Sequence, residues 1–217
     1  VLRADMRGHG GSTPTKGEYS MEELAADVVS LLDALGFKSG VHLIGLSMGG
    51  MIGQVIAADY PGRLASLMAC CTSAKWDGDT ELMLNRLATV KETRTLESIV
   101  AANMERRYGP NYRERRPKRW EALRETFLGT SIDGYFGCMH ACMTHNVADR
   151  LHNVDIPTLV VAGSADLSTP PSDGKLIASK IKGARYVEMK DGYHFPNVEF
   201  DEDFNRIMVD WLSEVRG

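Results

Sequence analysis

Short apolar runs alternate with amphipathic stretches over residues 1–75, and each change of period marks an element. Val1–Asp5 reads as a strand and Met6–Thr15 as a Gly-rich loop. Ser20 with Glu23 forms a capping box, which opens an amphipathic helix to about Leu35 that Gly36 stops. Val41–Gly45 is a strand, Met48–Asp59 a helix closed by Pro61, and Leu64–Cys71 a second buried strand. From about Trp76 to Asn146 strands disappear, and helical stretches follow one another at Glu81–Thr89, Leu96–Tyr108, Asn111–Leu128 and Ile132–His145. Alternation then resumes with a strand at Pro157–Gly163, a helix at Ser172–Lys182, a strand at Arg185–Lys190 and a closing helix at Phe200–Val215. This pattern predicts an α/β fold, a mostly parallel sheet with helices on both faces. Residues 1–75 and 147–217 make the sheet domain, and residues 76–146 interrupt it as a helical cap.

The strongest chemical signal lies at the junction of the Val41 strand and the following helix, Gly45-Leu46-Ser47-Met48-Gly49-Gly50. Gly-x-Ser-x-Gly between a strand and a helix is the turn on which serine hydrolases carry their nucleophile. The serine must occupy a sharp, strained turn with its hydroxyl above the sheet, and small residues on either side let strand and helix approach. The helix that follows contributes its N-terminal dipole and the free backbone N–H of Met48, where an oxyanion would form. A Gly-rich turn without chemistry would look the same in six residues. The flanking strand and helix are the context that favours the functional reading.

A serine hydroxyl is a poor nucleophile until a histidine takes its proton and a carboxylate orients that histidine. Asp166 follows the strand ending at Gly163, and His194 follows the strand ending near Lys190. Both therefore fall on loops at the carboxyl ends of parallel strands, where open α/β sheets place their sites, in the order serine, acid, histidine. The plainer alternatives are that Asp166 caps the helix near Pro171 and that His194 is a solvated loop residue. His9 and His42 precede the serine, and His140, His145 and His152 lie in or beside the helical block, so none fits the order.

Composition changes the picture mainly by exclusion. With 43% hydrophobic and 25% charged residues and a net charge of −4 over 217 residues, the chain is ordinary for a globular domain and a poor match for a nucleic-acid partner. No apolar run approaches the ~20 residues that span a bilayer. Four cysteines, two of them adjacent (Cys70 and Cys71), do not form a disulfide framework, which points to a reducing cytoplasm. Cys138, Cys142 and His145 share a helical face, but three donors on one helix without a fourth do not make a metal site, and no cofactor motif is present. Eight basic residues against three acidic ones between Glu105 and Arg124 would attract an anionic small molecule, or would simply form a solvated face. Trp120 and Tyr135 are candidates to line a substrate pocket from the cap, against the plainer reading that they only pack. Nothing in the pattern specifies an oligomeric state.

These segments together resemble the α/β-hydrolases, and among them the 3-oxoadipate enol-lactonase group. Asp5-Met6-Arg7-Gly8-His9-Gly10 is similar to the family's loop after its fourth strand, and Gly45 to Gly50 to its elbow. Gly134-Tyr135 with Gly137-Cys138 resembles a cap segment of the enol-lactonases, Gly163 to Pro170 the acid loop, and Gly192 to Glu199 the histidine loop. Carried over residue by residue, the resemblance implies Ser47 as nucleophile, Asp166 as acid and His194 as base. It implies cofactor-free hydrolysis of a small-molecule ester or lactone, with an enol-lactone of aromatic catabolism as substrate. A general carboxylesterase or a cofactor-free perhydrolase shares much of the pattern, and a ligand-sensing receptor on the same fold is the alternative of another class.

Two departures accompany the resemblance. The chain starts at Val1 without methionine, in a segment that the family precedes by three strands and by a His-Gly loop supplying the second oxyanion donor. It therefore reads as part of a longer protein. By itself it is expected to be weakly active or poorly folded, since one oxyanion donor is worth about 3–4 kcal/mol. Where enol-lactonases tend to carry an Ala-Ile-Arg-Asp-like stretch after the Gly-Tyr, this chain reads Ala141-Cys142-Met143-Thr144-His145-Asn146, and if that stretch shapes the pocket a different native substrate is expected.

Overall fold

A computed structural model describes residues 1–216. Four strands, β1 (Val41–Leu46), β2 (Leu64–Cys70), β3 (Thr158–Gly163) and β4 (Arg185–Met189), form one parallel sheet in sequence order. Because every neighbour is parallel, all four carboxyl ends and the loops leaving them gather on one edge.

Side chains alternate between the two faces of each strand, which divides the core in two. On one face, Leu43, Leu64 and Val160 pack with Val55 and Ile56 of α2 (Met48–Asp59) and Ile177 of α8 (Pro171–Lys180). Helix α1 (Met21–Ala34) closes this side, held at its start by the Ser20–Glu23 capping box and ended before Gly36 at φ +81°. On the other face, Met68, Cys70, Leu159 and Val161 meet Phe204 and Trp211 of α10 (Asp201–Val215). All four cysteines are free and buried, in keeping with the core reading of Cys70 and Cys71.

Between β2 and β3 the chain forms five helices: α3 (Thr80–Thr93), α4 (Glu97–Arg107), α5 (Tyr112–Arg115), α6 (Pro117–Leu128) and α7 (Ile132–Thr144). The chain enters and leaves this block side by side, joined by a Lys75–Asn146 bridge and by the Trp76 N–H on the His145 carbonyl at 2.9 Å. Glycines fix its contact with the sheet domain. A Cβ on Gly134 would stand 2.6 Å from Gly8, and one on Gly137 would stand 2.5 Å from the Tyr19 ring.

Several expectations need correction. Val1–Asp5 is not a strand: it is exposed and pairs with no strand among the described residues, and its Asp5 carbonyl accepts from the Ser12 hydroxyl at 2.7 Å instead of joining a ladder. The expected helix at Asn111–Leu128 is two helices, because Pro117 disfavours helical geometry at Arg116, which sits at φ −137°, ψ 55°. The closing helix is preceded by a separate short one, α9 (Pro196–Glu199). No helix among the described residues is long and apolar enough to cross a membrane.

His145, at the junction of block and sheet, is 3% exposed, and neither ring nitrogen has a hydrogen-bond partner. Burial pushes its pKa down to about 4. Between that value and the ordinary ~6.5 the unfolded chain binds a proton that the folded chain refuses, so stability is full above pH 6.5 and falls as pH drops. Urea unfolding is expected to show about 2 kcal/mol less stability from this residue at pH 5 than at pH 7. His145→Phe should remove that increment, and an unchanged pH slope in the variant would contradict the assignment.

Candidate active site

The loop at the end of β1 is a turn of one residue. Ser47 adopts φ 53°, ψ −119°, a conformation rarely open to a residue with a side chain, before α2 begins at Met48. Its backbone is pinned on both sides. The Ser47 N–H donates to the Cys70 carbonyl at 2.8 Å, and the Thr72 hydroxyl donates to the Ser47 carbonyl at 2.8 Å. The glycines around it are unequal. A Cβ at Gly45 would stand 2.2 Å from the Gly49 carbonyl oxygen, and one at Gly50 would lie 2.7 Å from Thr72. A Cβ at Gly49 meets nothing within 4 Å, so close approach requires Gly45 and Gly50 but not Gly49, the second glycine of the motif.

Asp166 lies three residues beyond β3 and is 3% exposed. Its carboxylate accepts from the Ser168 and Thr169 amides at 2.7 and 3.1 Å and from the Thr169 hydroxyl at 2.8 Å. The helix-cap alternative fails, since α8 has Pro170 at its N-cap and no side-chain cap. Burial works to raise the Asp166 pKa, but the hydrogen bond and charge of His194 with the two amides outweigh it, leaving the pKa below the ordinary carboxylate value. The carboxylate is ionised.

His194 is 2% exposed and sits on the loop after β4. Its Nδ1 lies 2.8 Å from Asp166 Oδ2 and its Nε2 lies 2.9 Å from Ser47 Oγ. The structure therefore brings the three sequence-derived residues into one hydrogen-bonded line. With Asp166 ionised, Nδ1 carries the proton and Nε2 is the free acceptor facing the serine. Burial lowers the His194 pKa, Asp166 opposes, and the positive charges of Arg107 and Arg106 add to the lowering. The neutral imidazole is the resting form.

Two further contacts were not legible in the motifs. The His194 N–H donates to the Arg107 carbonyl at 3.1 Å, and Arg106 donates twice to the Leu167 carbonyl at 3.2 and 2.9 Å. The last turn of α4 thus holds both the histidine loop and the acid loop. The backbone N–H of Met48, at the first position of α2, faces no intrahelical acceptor, as helix geometry requires.

Ser47 and His194 open into a cavity of about 530 Å³ between the sheet edge and the helical block. Tyr135 lines it, together with Trp76, Asn103, Arg107 and Met139. Trp120 does not: it packs against Tyr108 and Tyr112 in a separate aromatic cluster, with ring centroids 5.7 and 6.5 Å apart. The basic stretch divides. Arg106 and Arg107 reach the cavity, whereas Arg119 and Arg124 form surface pairs with Asp201, Glu97 and Glu121. Among the described residues no cluster of donors suited to a metal is found.

A family profile described as the alpha/beta hydrolase fold matches residues 1–201. The chain is 32% identical over 205 residues to 3-oxoadipate enol-lactonase 2 of Acinetobacter baylyi, covering 94% of this chain and 75% of that protein. It superposes on the enol-lactonase of Burkholderia xenovorans LB400 with a TM-score of 0.91 at 33% identity, over 96% of this chain and 79% of that one. A thermophilic esterase from Thermogutta terrifontis gives a TM-score of 0.88 at 29% identity, over 98% and 79%.

The glycine asymmetry is testable by thermal unfolding. Gly45→Ala should lower stability by about 1–3 kcal/mol or prevent folding. Gly49→Ala should leave stability unchanged or raise it by up to about 1 kcal/mol. Equal tolerance of the two substitutions would contradict the geometry.

Proposed function

The chain belongs to the α/β-hydrolase fold family, and on that premise we propose that it is a serine hydrolase that opens a carboxylic ester or lactone through an acyl-enzyme. The observation that carries this reading is the line from the buried Asp166 and His194 to the half-buried Ser47, with contacts of 2.8 and 2.9 Å. Its members are chemically matched: an ionised carboxylate, an imidazole poised neutral, and a hydroxyl on a strained turn.

His194 Nε2 takes the proton of Ser47 Oγ as the oxygen attacks the substrate carbonyl carbon. The negative charge that develops on the carbonyl oxygen falls beside the Met48 N–H and the start of α2. Collapse breaks the carbon–oxygen bond, and His194 returns its proton to the departing oxygen. In a lactone that oxygen stays tethered to the acyl group. Water, deprotonated by His194, then attacks the acyl-enzyme and releases the acid, restoring Ser47. Asp166 keeps the imidazole in one tautomer and stabilises its charged form without itself taking the proton. In this reading helices α3–α7 act as the cap that encloses the substrate, with Tyr135 on its lining.

For the substrate we favour an enol-lactone of the 3-oxoadipate type, by similarity to the Acinetobacter baylyi and Burkholderia xenovorans proteins. A receptor on this fold would bind a ligand without needing acid, base and nucleophile all aligned, which favours the enzyme.

The test is loss of 3-oxoadipate enol-lactone, followed by ultraviolet absorbance with the full-length protein. Ser47→Ala should lower kcat by at least ~10³-fold with the fold intact. Because His194 must be neutral to act and its pKa is lowered, the acid-side half-point of kcat/KM should lie below pH 6.5. Turnover that survives Ser47→Ala, or a half-point above pH 6.5, would overturn the proposal.

A further inference from the structure

Three arginines line the cavity, Arg86, Arg106 and Arg107, and none has a carboxylate within 4 Å among the described residues. Arg106 donates to the Leu167 carbonyl, and Arg86 lies at the far wall on α3. Arg107 stands on the last turn of α4, where its own carbonyl holds His194. It lines the cavity with Ser47 and His194, and its side chain has no hydrogen-bond acceptor among the described residues. Its closest recorded partner is the face of Phe195, 5.8 Å from the guanidinium carbon. A desolvated cation without a counter-ion is unfavourable, and it is tolerated most readily where a ligand supplies the missing charge.

Two neighbours also turn polar groups without a protein partner toward the cavity. Asn103 stands one helical turn before Arg107 on α4 and therefore on the same face. It is 6% exposed and lines the cavity, and its side-chain oxygen is buried without a partner. Rotating the amide by 180° would exchange oxygen and nitrogen, so either end can face a ligand. Tyr135 of α7 is 5% exposed, lines the same cavity, and its hydroxyl makes no hydrogen bond to the protein among the described residues. The acids of the cavity gather elsewhere. Asp77 is held by Lys75, Asp79 caps α3, and Asp173, its pKa pushed up to about 6 by burial and by Asp77 and Asp166, lies on the α8 side.

We propose that Arg107, Asn103 and Tyr135 form a carboxylate-binding subsite that anchors the far end of an anionic substrate while its acyl carbonyl meets Ser47. The inference rests on the cavity being the hydrolytic site, and it narrows the substrate class to esters or lactones bearing a free carboxylate. The guanidinium fork offers two parallel N–H donors to the two carboxylate oxygens, and the amide and phenol supply further donors. Anchoring at this end converts charge recognition into placement of the reacting carbon. It also explains why two basic residues at the end of α4 point inward while the rest of the stretch is spent on solvent and surface pairs.

Isothermal titration of the full-length protein with glutarate, an inert dicarboxylate, and with its neutral diamide tests the subsite without chemistry. Glutarate should bind and the diamide should bind at least ~10-fold more weakly, with glutarate affinity falling as salt is raised. Arg107→Gln should weaken glutarate by ~10–100-fold, the range of a lost charged hydrogen-bond pair, whereas Arg107→Lys keeps the charge and should fall between. Tyr135→Phe removes one donor with minimal change of shape and should weaken glutarate by a few-fold. That variant keeps the test decisive if Arg107→Gln does not fold. Failure of wild type to bind glutarate, equal binding of the diamide, or unchanged affinity in all the folded variants would overturn the subsite. Hydrolysis of 3-oxoadipate enol-lactone and of mono-p-nitrophenyl glutarate, an ester with a free carboxylate, is scored separately. Glutarate binding without serine-dependent hydrolysis of either would keep an anion-binding cavity and reject the hydrolytic reading.

Discussion

The backbone of Ser47 is the constraint on which the site depends. At φ 53° the chain reverses from strand to helix in one residue, and the side chain is left projecting from the sheet edge. Such a conformation is expected to cost about 1–3 kcal/mol, so its surroundings must over-determine it. They do so through the Ser47 N–H on Cys70, the Thr72 hydroxyl on the Ser47 carbonyl, and the Gly45–Gly49 contact that admits no side chain. Local strain is held by the parallel register of β1 and β2, in which Leu46 pairs with Cys70. The sheet is therefore the part that aims the hydroxyl.

The other half of the site is aimed by a different device. His194 and Asp166 lie on loops, which by themselves would move more than contacts of 2.8 and 2.9 Å tolerate. The end of β3 fits against the histidine loop, where a Cβ on Gly163 would stand 2.4 Å from the Gly192 carbonyl. The last turn of α4 then clamps both loops, through the Arg107 carbonyl to His194 and the Arg106 guanidinium to Leu167. Tyr108 continues the clamp by stacking on Phe195 with ring centroids 5.2 Å apart. The helical block is thus bonded to the site it stands over, and a single helix end couples the geometry of the acid and base to the wall of the cavity.

The sequence was most readable where function is written in short, local patterns. The elbow depends on a strand, a turn and a helix within about twenty residues, and the order of Asp166 and His194 depends only on which strand each follows. Element types were legible for the same reason, and α2 runs over the residues that its periodicity predicts. What could not be read was orientation within the helical block. Trp120 and Tyr135 look equivalent as aromatic residues on amphipathic helices. Only packing reveals that one closes an aromatic cluster with Tyr108 and Tyr112 while the other faces the cavity. Arg107 was hidden in a run of like charges, because a count cannot separate a buried guanidinium from solvated ones. Val1–Asp5 has the composition of a strand, but a strand exists only where a neighbour supplies the ladder.

The central claim is that Ser47 is activated as a nucleophile by the buried His194–Asp166 pair. It is tested most directly by treating the full-length protein with a fluorophosphonate and locating the adduct by peptide mass spectrometry. The expected result is one adduct, on Ser47, lost in Ser47→Ala and formed far more slowly in folded His194→Asn. Modification at another residue, or labelling of Ser47 at the same rate without His194, would contradict the account.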